Sequence, residues 1–481
     1  MYRPETKAVV YDTKYWWGDN WDAMEYGRDF IFFRSFFEQF KELQRVVPRQ
    51  TLYTKNVENC DYTNHIENTK NCYLSVDIAK SEDVYYGKYL INCKDMVDCY
   101  QTENASECYE ANYSPGSNNS KYTYLGIGST DSDFLFSCAN AKYCLMCWNL
   151  RHKEYHIENK PYTKEDYNRF LQTYDTGSYN NLQKYKKRYN KLIKNATRRS
   201  SEIINCEGST GDYLHQCKNV RNTFNCYKMR DCSYCYDCAY MQDCYDTYES
   251  AFDCEVQHEC HACNRGKFLI GCSVCYDVNN LYYCEMCHNS EHLFGCIGLR
   301  HKKYCIFNKQ YTKEEYEELV PKIIEHMKNS GEWGGFFPKE FSLFAYNESA
   351  APEFRYLKKD EAIKLGWSWH EDMRDYQQQT YEVPDHIKDV PDSITKEVLV
   401  CDECRKNYRI ISQELNFYRK HNLAAPRLCP NCRYYKRIEF RNPYKLYDRN
   451  CAKCGTAIRT TYSPDRPEKV YCEACYLKEV Y

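Results

Sequence analysis

Cys260-His261-Ala262-Cys263, Cys272-Ser273-Val274-Cys275, Cys284-Glu285-Met286-Cys287 and Cys296-Ile297-Gly298-Leu299 repeat one short unit four times at a step of twelve residues. Self-similarity at a fixed step marks a repeat architecture before any local reading does. Cys226 and Cys238, Cys232 and Cys244, and in the first half Cys60, Cys72 and Val84 keep the same step. Twelve residues are too few for a helix pair. The unit is rich in Tyr, Cys, Asn and Val and poor in helix formers, so strands joined by Asn, Asp and Ser turns are expected. Stacked turns of this kind make a β-solenoid, in which equivalent residues sit about 4.8 Å apart and each turn pairs only with its neighbours. Asn59-Cys60, Asn71-Cys72, Asn92-Cys93, Asn205-Cys206 and Asn225-Cys226 are expected to put Asn at stacked corners and Cys inside.

A longer period overlies the short one. Cys147, Leu150-Arg151-His152-Lys153 and Tyr162-Thr163-Lys164-Glu165-Asp166-Tyr167 return, displaced by 149 residues, as Cys296, Leu299-Arg300-His301-Lys302 and Tyr311-Thr312-Lys313-Glu314-Glu315-Tyr316. The chain therefore reads as two copies of one module. The first holds eight cysteines between Cys60 and Cys147 and the second 16 between Cys206 and Cys305. Counterparts of Cys284, Cys272 and Cys305 are Leu135, Thr123 and His156. A metal ligand could not be exchanged for Leu, but a small packed side chain could. Stacked cysteines still admit three states: reduced packing, metal ligation, with His258 and His261 as further candidate ligands, and disulfides, whose Cα separation a ladder satisfies. No apolar stretch follows Met1-Tyr2-Arg3-Pro4-Glu5-Thr6 and no run reaches transmembrane length, so a cytoplasmic setting is expected, where thiols stay reduced.

The remaining 8 of the 32 cysteines form four Cys-x-x-Cys pairs, Cys401/Cys404, Cys429/Cys432, Cys451/Cys454 and Cys472/Cys475. Each pair brings two thiolates to one metal, and four pairs complete two tetrahedral Cys₄ sites. Two structural Zn²⁺ ions are expected. Cys429-Pro430-Asn431-Cys432 and Cys451-Ala452-Lys453-Cys454-Gly455 read as knuckles. Sequential pairing is the simplest arrangement, and a crossed brace is the alternative.

At 481 residues, 43% of them hydrophobic and 50 of them Tyr, the chain can bury several cores. Residues 1–50 read as an N-terminal helical cap: Phe33, Phe36, Phe37, Phe40, Leu43 and Val47 form a stripe within a helix expected over 28–47 and ended by Pro48. Together with Trp16, Trp17 and Trp21 it is expected to cover the first turn of the repeat. Residues 51–198 form the first module with its closing helix and a basic helical connector over 184–199, and residues 199–330 the second. Thr312 with Glu315 is a capping box, which Thr163 with Asp166 imitates. Residues 331–395 read as an aromatic strap on the preceding module, with a short helix at 358–365 stopped by Gly366. Residues 396–481 form a double zinc ribbon. The expected fold class is mainly β: duplicated cysteine-rich solenoid-like modules with capping helices, followed by the ribbons.

Formal charge is −2 overall, but residues 401–481 carry 17 Lys/Arg against 9 Asp/Glu, a net of +8. Arg409, Arg419, Lys420, Arg433, Lys436 and Arg437 alternate with tyrosines around the knuckles, a composition suited to phosphate contact and base stacking. Nucleic acid, RNA or DNA, or an acidic protein surface is the expected partner; no membrane and no small-molecule substrate is indicated. His152 and His301 recur with the duplication but have no nucleophile or paired carboxylate at a fixed spacing. No Gly-rich phosphate loop, Gly-x-Ser-x-Gly elbow or His-Glu-x-x-His helix occurs. Two functions follow: a non-enzymatic zinc-binding scaffold or adaptor, or alternatively a metal-cluster or redox protein that uses the cysteine ladders.

Tyr15-Trp16-Trp17-Gly18-Asp19-Asn20-Trp21-Asp22, Phe36-Phe37-Glu38-Gln39-Phe40, the Asn-Cys-Tyr steps, Asn308-Lys309-Gln310-Tyr311-Thr312-Lys313-Glu314-Glu315-Tyr316 and the ending Pro464-Asp465-Arg466-Pro467-Glu468-Lys469-Val470-Tyr471-Cys472-Glu473-Ala474-Cys475-Tyr476 resemble an uncharacterised family of cysteine-rich zinc-ribbon proteins of candidate-phylum bacteria. The resemblance covers the whole chain. It implies zinc and a bacterial cytoplasmic setting, and it supplies no catalytic residue.

Overall fold

A triplet, smaller than the twelve-residue unit, builds the repeat. Non-glycine residues with φ near +50° recur every third position, as at Asn56, Asn59, Tyr62, His65, Asn68 and Asn71, and onward through the first module. Each triplet is an outward residue, a left-handed corner and an inward residue, illustrated by Asp61, Tyr62 and Thr63. Twelve residues thus make four corners and one square turn. Outward residues carry the ladder in both directions: the Asp61 N–H donates to the Cys72 carbonyl at 3.0 Å, and its carbonyl accepts from the Leu74 N–H at 3.1 Å. Left-handed corners cost about 1 kcal/mol or more for residues other than Gly, with Asn and Asp the least penalised. Side-chain ladders offset part of that cost, Asn59 donating to Asn71 at 2.9 Å and Asn71 to Asp83 at 3.0 Å.

The computed structural model describes the chain apart from Met1, Pro4, Glu5, Lys7, Lys228, residues 231–238, 243–250, 258–265 and 270–277, and Asp375, with only the backbone given for Tyr227 and for 239–242, 251–257, 266–269 and 278–279. Cys260, Cys263, Cys272, Cys275, His258 and His261 lie outside the described residues. Parallel strands at a twelve-residue offset run from Thr54–Glu58 to Glu154–Ile157 in the first solenoid. The second runs from Ile203–Ile204 to Lys303–Ile306, its first step being eleven residues, Ile203 pairing with Leu214. Both end alike: His156 pairs antiparallel with Pro161 and Ile157 with Lys160, as Cys305 does with Gln310 and Ile306 with Lys309. A helix follows each, Lys164–Leu171 and Lys313–Asn329. The Thr312–Glu315 capping box closes in both directions, at 2.8 and 3.2 Å.

Inward positions hold Cys, Ser, Thr, Val, Ile and Leu, and the polar ones share one habit. Ser75 Oγ donates to the carbonyls of Tyr73 and Val84 at 3.0 and 3.3 Å; Cys99 Sγ meets those of Val97 and Cys108 at 3.3 and 3.4 Å. Cys and Ser are therefore alternative fillers of one cramped corner. Leu135 and Cys284, counterparts across the two modules, are both fully buried.

The aromatic N-terminal region departs from expectation in two ways. Its helix spans Phe36–Val46, because Ser35 caps it and residues 28–35 are non-helical, the Ile31 N–H being held by the Gln39 side chain at 2.8 Å. It also covers the closing turns of the second solenoid instead of the first turn of the first. Phe36 packs against Tyr283, Phe294 and Phe307 with centroids 5.3 to 5.5 Å away, and Trp16 lies 5.7 Å from His288. Those turns offer apolar rings, whereas the first strand, Thr54-Lys55-Asn56-Val57-Glu58, is polar and exposed. The buried Arg49–Glu285 ion pair fixes the same contact. Phe341 of the strap joins Phe37 and Phe40 at 5.6 and 5.9 Å, and the short helix Lys359–Lys364 stops at Gly366, φ +79°.

The connector helix, Tyr179–Lys194, lies on the first solenoid through Tyr189, which donates to the Leu135 carbonyl at 2.8 Å. Beside it the two solenoids touch: Tyr113 stacks on Tyr213 with centroids 5.5 Å apart, and Asn225 donates to the Tyr113 hydroxyl at 3.2 Å. Among the described residues no helix is long and apolar enough to cross a membrane.

Candidate metal centres

Leu399–Val400 and Asn407–Tyr408 form a two-stranded hairpin whose turn carries Cys401 and Cys404, and Tyr447–Asn450 with Ala457–Thr460 does the same for Cys451 and Cys454. Both turns are tightened by a bond back to the first cysteine: Arg405 N–H to the Cys401 carbonyl at 3.0 Å, and Gly455 N–H to that of Cys451 at 2.9 Å. Arg405 and Gly455 accordingly take φ of 61° and 77°. The other two pairs begin helices. Cys429 caps Pro430–Ile438 and Cys472 caps Glu473–Val480. Cys429-x-x-Cys432 is thus a first helical turn and not the knuckle its Cys-Pro-x-Cys sequence suggests; Pro430 falls at the first helical position, where a missing N–H costs nothing.

The grouping is sequential. Cys401, Cys404, Cys429 and Cys432 bring their sulfurs within 4.8 Å of one another, and so do Cys451, Cys454, Cys472 and Cys475. A tetrahedral metal with bonds of about 2.3 Å to sulfur requires sulfur–sulfur edges near 3.8 Å by geometry. Cys404 to Cys429 and Cys454 to Cys472 both measure 3.7 Å. The donor sets are thus grouped closely enough to hold a tetrahedral metal ion.

Local dipoles prepare the first cysteine of each set. Burial works against ionising Cys401, but N–H groups of Cys429, Cys404 and Glu403 outweigh it and bring the thiol down to about 7. At Cys451 the same contest, burial against the N–H groups of Cys472, Cys454 and Lys453, ends at about 6; the Cys472 N–H lies 3.2 Å from its sulfur. Two fully buried solenoid thiols go the other way. Burial pushes Cys108 and Cys138 up to about 12.

Both ribbons are seated on the solenoids. From Pro430–Ile438, Arg433 Nε reaches Asp98 at 2.8 Å and its Nη2 reaches Glu414 at 3.0 Å, while Arg437 meets the other Asp98 oxygen at 2.9 Å. The arginine side chains are 4% exposed and the two carboxylates 0%. Tyr86 and Tyr418 each donate to Glu414, at 2.7 and 2.6 Å. Asp98 is itself a left-handed corner, φ 57°. At the second ribbon, Val470–Tyr471 adds a parallel strand to Arg198–Arg199, and Thr461 donates to buried Asp212 of the second solenoid at 2.7 Å.

This seating buries two of the six basic residues read as candidate phosphate contacts. Burial against Asp98 takes Arg433 and Arg437 off any surface that could meet phosphate. Arg419 is engaged by Asp392 and donates to the Val390 carbonyl at 2.6 Å, Lys420 pairs with Glu107 at 3.0 Å, and Lys436 with Glu403 at 3.0 Å. Arg409 is exposed, and no ion pair engages it among the described residues. His152 and His301 are exposed corners, φ 52° and 53°. Asp98, Glu414 and Glu353, which accepts from Lys88 and Tyr434 at 2.6 Å each, were missed from sequence because an acid in a repeat or strap carries no mark of its distant partner. In comparisons with known proteins, no family model matches the chain and no curated protein is significantly similar to it.

Proposed function

We propose that the protein is a non-enzymatic scaffold in which two structural zinc ions clamp a pair of β-solenoids, in a cytoplasmic setting. The observation that carries this is the double closure of the ribbons: each Cys₄ set is complete within 4.8 Å, and each ribbon is bound to a solenoid through buried polar contacts. Four thiolates fill a tetrahedral coordination sphere, which suits a structural ion and leaves no position for an activating water. Arg433 and Arg437 transmit the fold of the first ribbon to Asp98. Against the alternative of a cluster or redox protein stands the chemistry of the ladders, where thiols such as those of Cys99, Cys108 and Cys287 point at backbone carbonyls and are pushed toward the protonated form by burial.

Elemental analysis of protein purified without added metal tests the reading. Two zinc ions per chain are expected, and both should be lost when Cys429→Ser and Cys472→Ser are combined. Iron with visible absorbance, or metal well beyond two ions, would favour the alternative.

A further inference from the structure

A cleft of about 840 Å³ opens where the first ribbon meets the first solenoid, within the size range of ligand sites. Three distant segments build it: solenoid turns that contribute Tyr62, Tyr73 and Tyr86, the strap around Tyr376, and the ribbon from Lys406 to Arg409. Tyr62, Leu74 and Tyr86 occupy one corner column at steps of twelve, so the wall is a track along the solenoid axis and not a round pocket. Tyr62 is 60% exposed, and Tyr73 meets it edge to face at 5.6 Å. The floor thus offers the exposed ring of Tyr62 with half-buried Tyr73 beside it, while Tyr86 is buried behind them.

Charge around the cleft is one-sided. Lys88, Arg374, Lys406 and Arg409 line it, and no carboxylate does so among its described lining residues. Glu353 behind Lys88 and Asp372 behind Arg374 and Lys406, at 2.6, 2.7 and 2.7 Å, offset part of this charge and hold those side chains in place. Arg409 is left to a ligand. A ligand that matches must be anionic, elongated and planar in part. Aromatic platforms combined with a cationic groove are how single strands are held without sequence readout.

We infer that this cleft binds a short stretch of single-stranded nucleic acid, with bases stacked on Tyr62 and Tyr73 and a phosphate on Arg409. The inference rests on the first ribbon being folded, but not on which metal folds it. It moves the site from the helix bearing Arg433, Lys436 and Arg437 to the seam between ribbon and solenoid.

Fluorescence anisotropy of labelled twelve-nucleotide oligo(U) and oligo(dT) with the full chain tests it, with metal content measured on each sample. Binding should weaken steeply with salt. Arg409→Ala and Tyr62→Ala should each cost about tenfold, and Arg409→Ala should lower the slope of log K against log salt by about 0.7, the value for one phosphate contact on a single strand. Lys436→Ala and Lys187→Ala, on exposed basic positions outside the cleft, should stay within twofold. Preference for one of the two oligomers would tell RNA from DNA. No binding at low salt, loss with Lys436→Ala or Lys187→Ala instead of Arg409→Ala, or equal competition by poly-aspartate would overturn the proposal. Binding by protein that, as purified without added metal, holds a metal other than zinc would sink the zinc assignment and leave this inference standing.

Discussion

Cys99 in the first solenoid and Cys401 in the first ribbon are both fully buried, yet their thiols are driven in opposite directions. Burial dominates at Cys99, aided by neighbouring Cys108, and its sulfur faces carbonyl oxygens. Three N–H groups converge on Cys401 and overcome burial. What separates these two sulfurs is the backbone around them: the hairpin turn aims several N–H groups at Cys401, while the solenoid turn sets two carbonyls and a single lowering N–H, that of Ala111, against Cys99. Two cysteines of one chemical type are thus set apart by the backbone of the segments that carry them.

The most forceful way to break this contrast is to substitute one cysteine of each kind. Cys429→Ser should abolish the first metal site and, with it, a binding free energy on the order of 10 kcal/mol that folds the ribbon. Hydrogen exchange should then lose protection over 399–438 and, because Asp98 is uncovered, over the adjoining solenoid turns as well. Retained protection with one metal ion lost would show that the ribbon folds on packing alone.

A smaller effect should come from the joint between the two regions. Arg433→Met removes one partner of a buried ion cluster and leaves Asp98 and Glu414 short of positive charge, a change that costs about 3–5 kcal/mol. Denaturant unfolding measures it, and adding Asp98→Asn should recover part of the loss. An unchanged midpoint would mean that the cluster is solvated in solution.

Smallest of all should be Cys99→Ser. Serine already occupies equivalent inward positions at Ser75 and Ser81 and donates to the corresponding carbonyls, two residues back, so about 1 kcal/mol or less is expected, with both metal ions retained. A metal ion released by this substitution would assign ligand chemistry to the ladder and erase the distinction.

The sequence made the twelve-residue turn, the Asn corners, the closing helices and the two groups of four ribbon cysteines legible, because each repeats or keeps a fixed spacing. The triplet beneath the turn was hidden: left-handed corners are filled by Asn, Asp, Tyr, His, Leu and Met alike, so no residue type marks them. Seating of the aromatic N-terminal region on Phe294 and Phe307 was equally hidden, since it joins residues separated by more than 250 positions. Burial of two of the basic ribbon residues was hidden for a related reason. Composition registers Arg433 and Arg437 as surplus charge, whereas their partner Asp98 is one acid in a corner column shared with Tyr62, Leu74, Tyr86 and Glu110.

The square turn also has a mechanical meaning. Every side of a turn is tied to the next turn by its own pair of ladder bonds, so a force along the solenoid axis loads all four sides together, and none yields before the others. A force on the chain within one turn meets those bonds one side at a time. The first solenoid should therefore behave as a strut that is stiff end to end and easily unravelled from a loose terminus, which gives the antiparallel clasp at His156–Pro161 the part of a knot at the end of a rope.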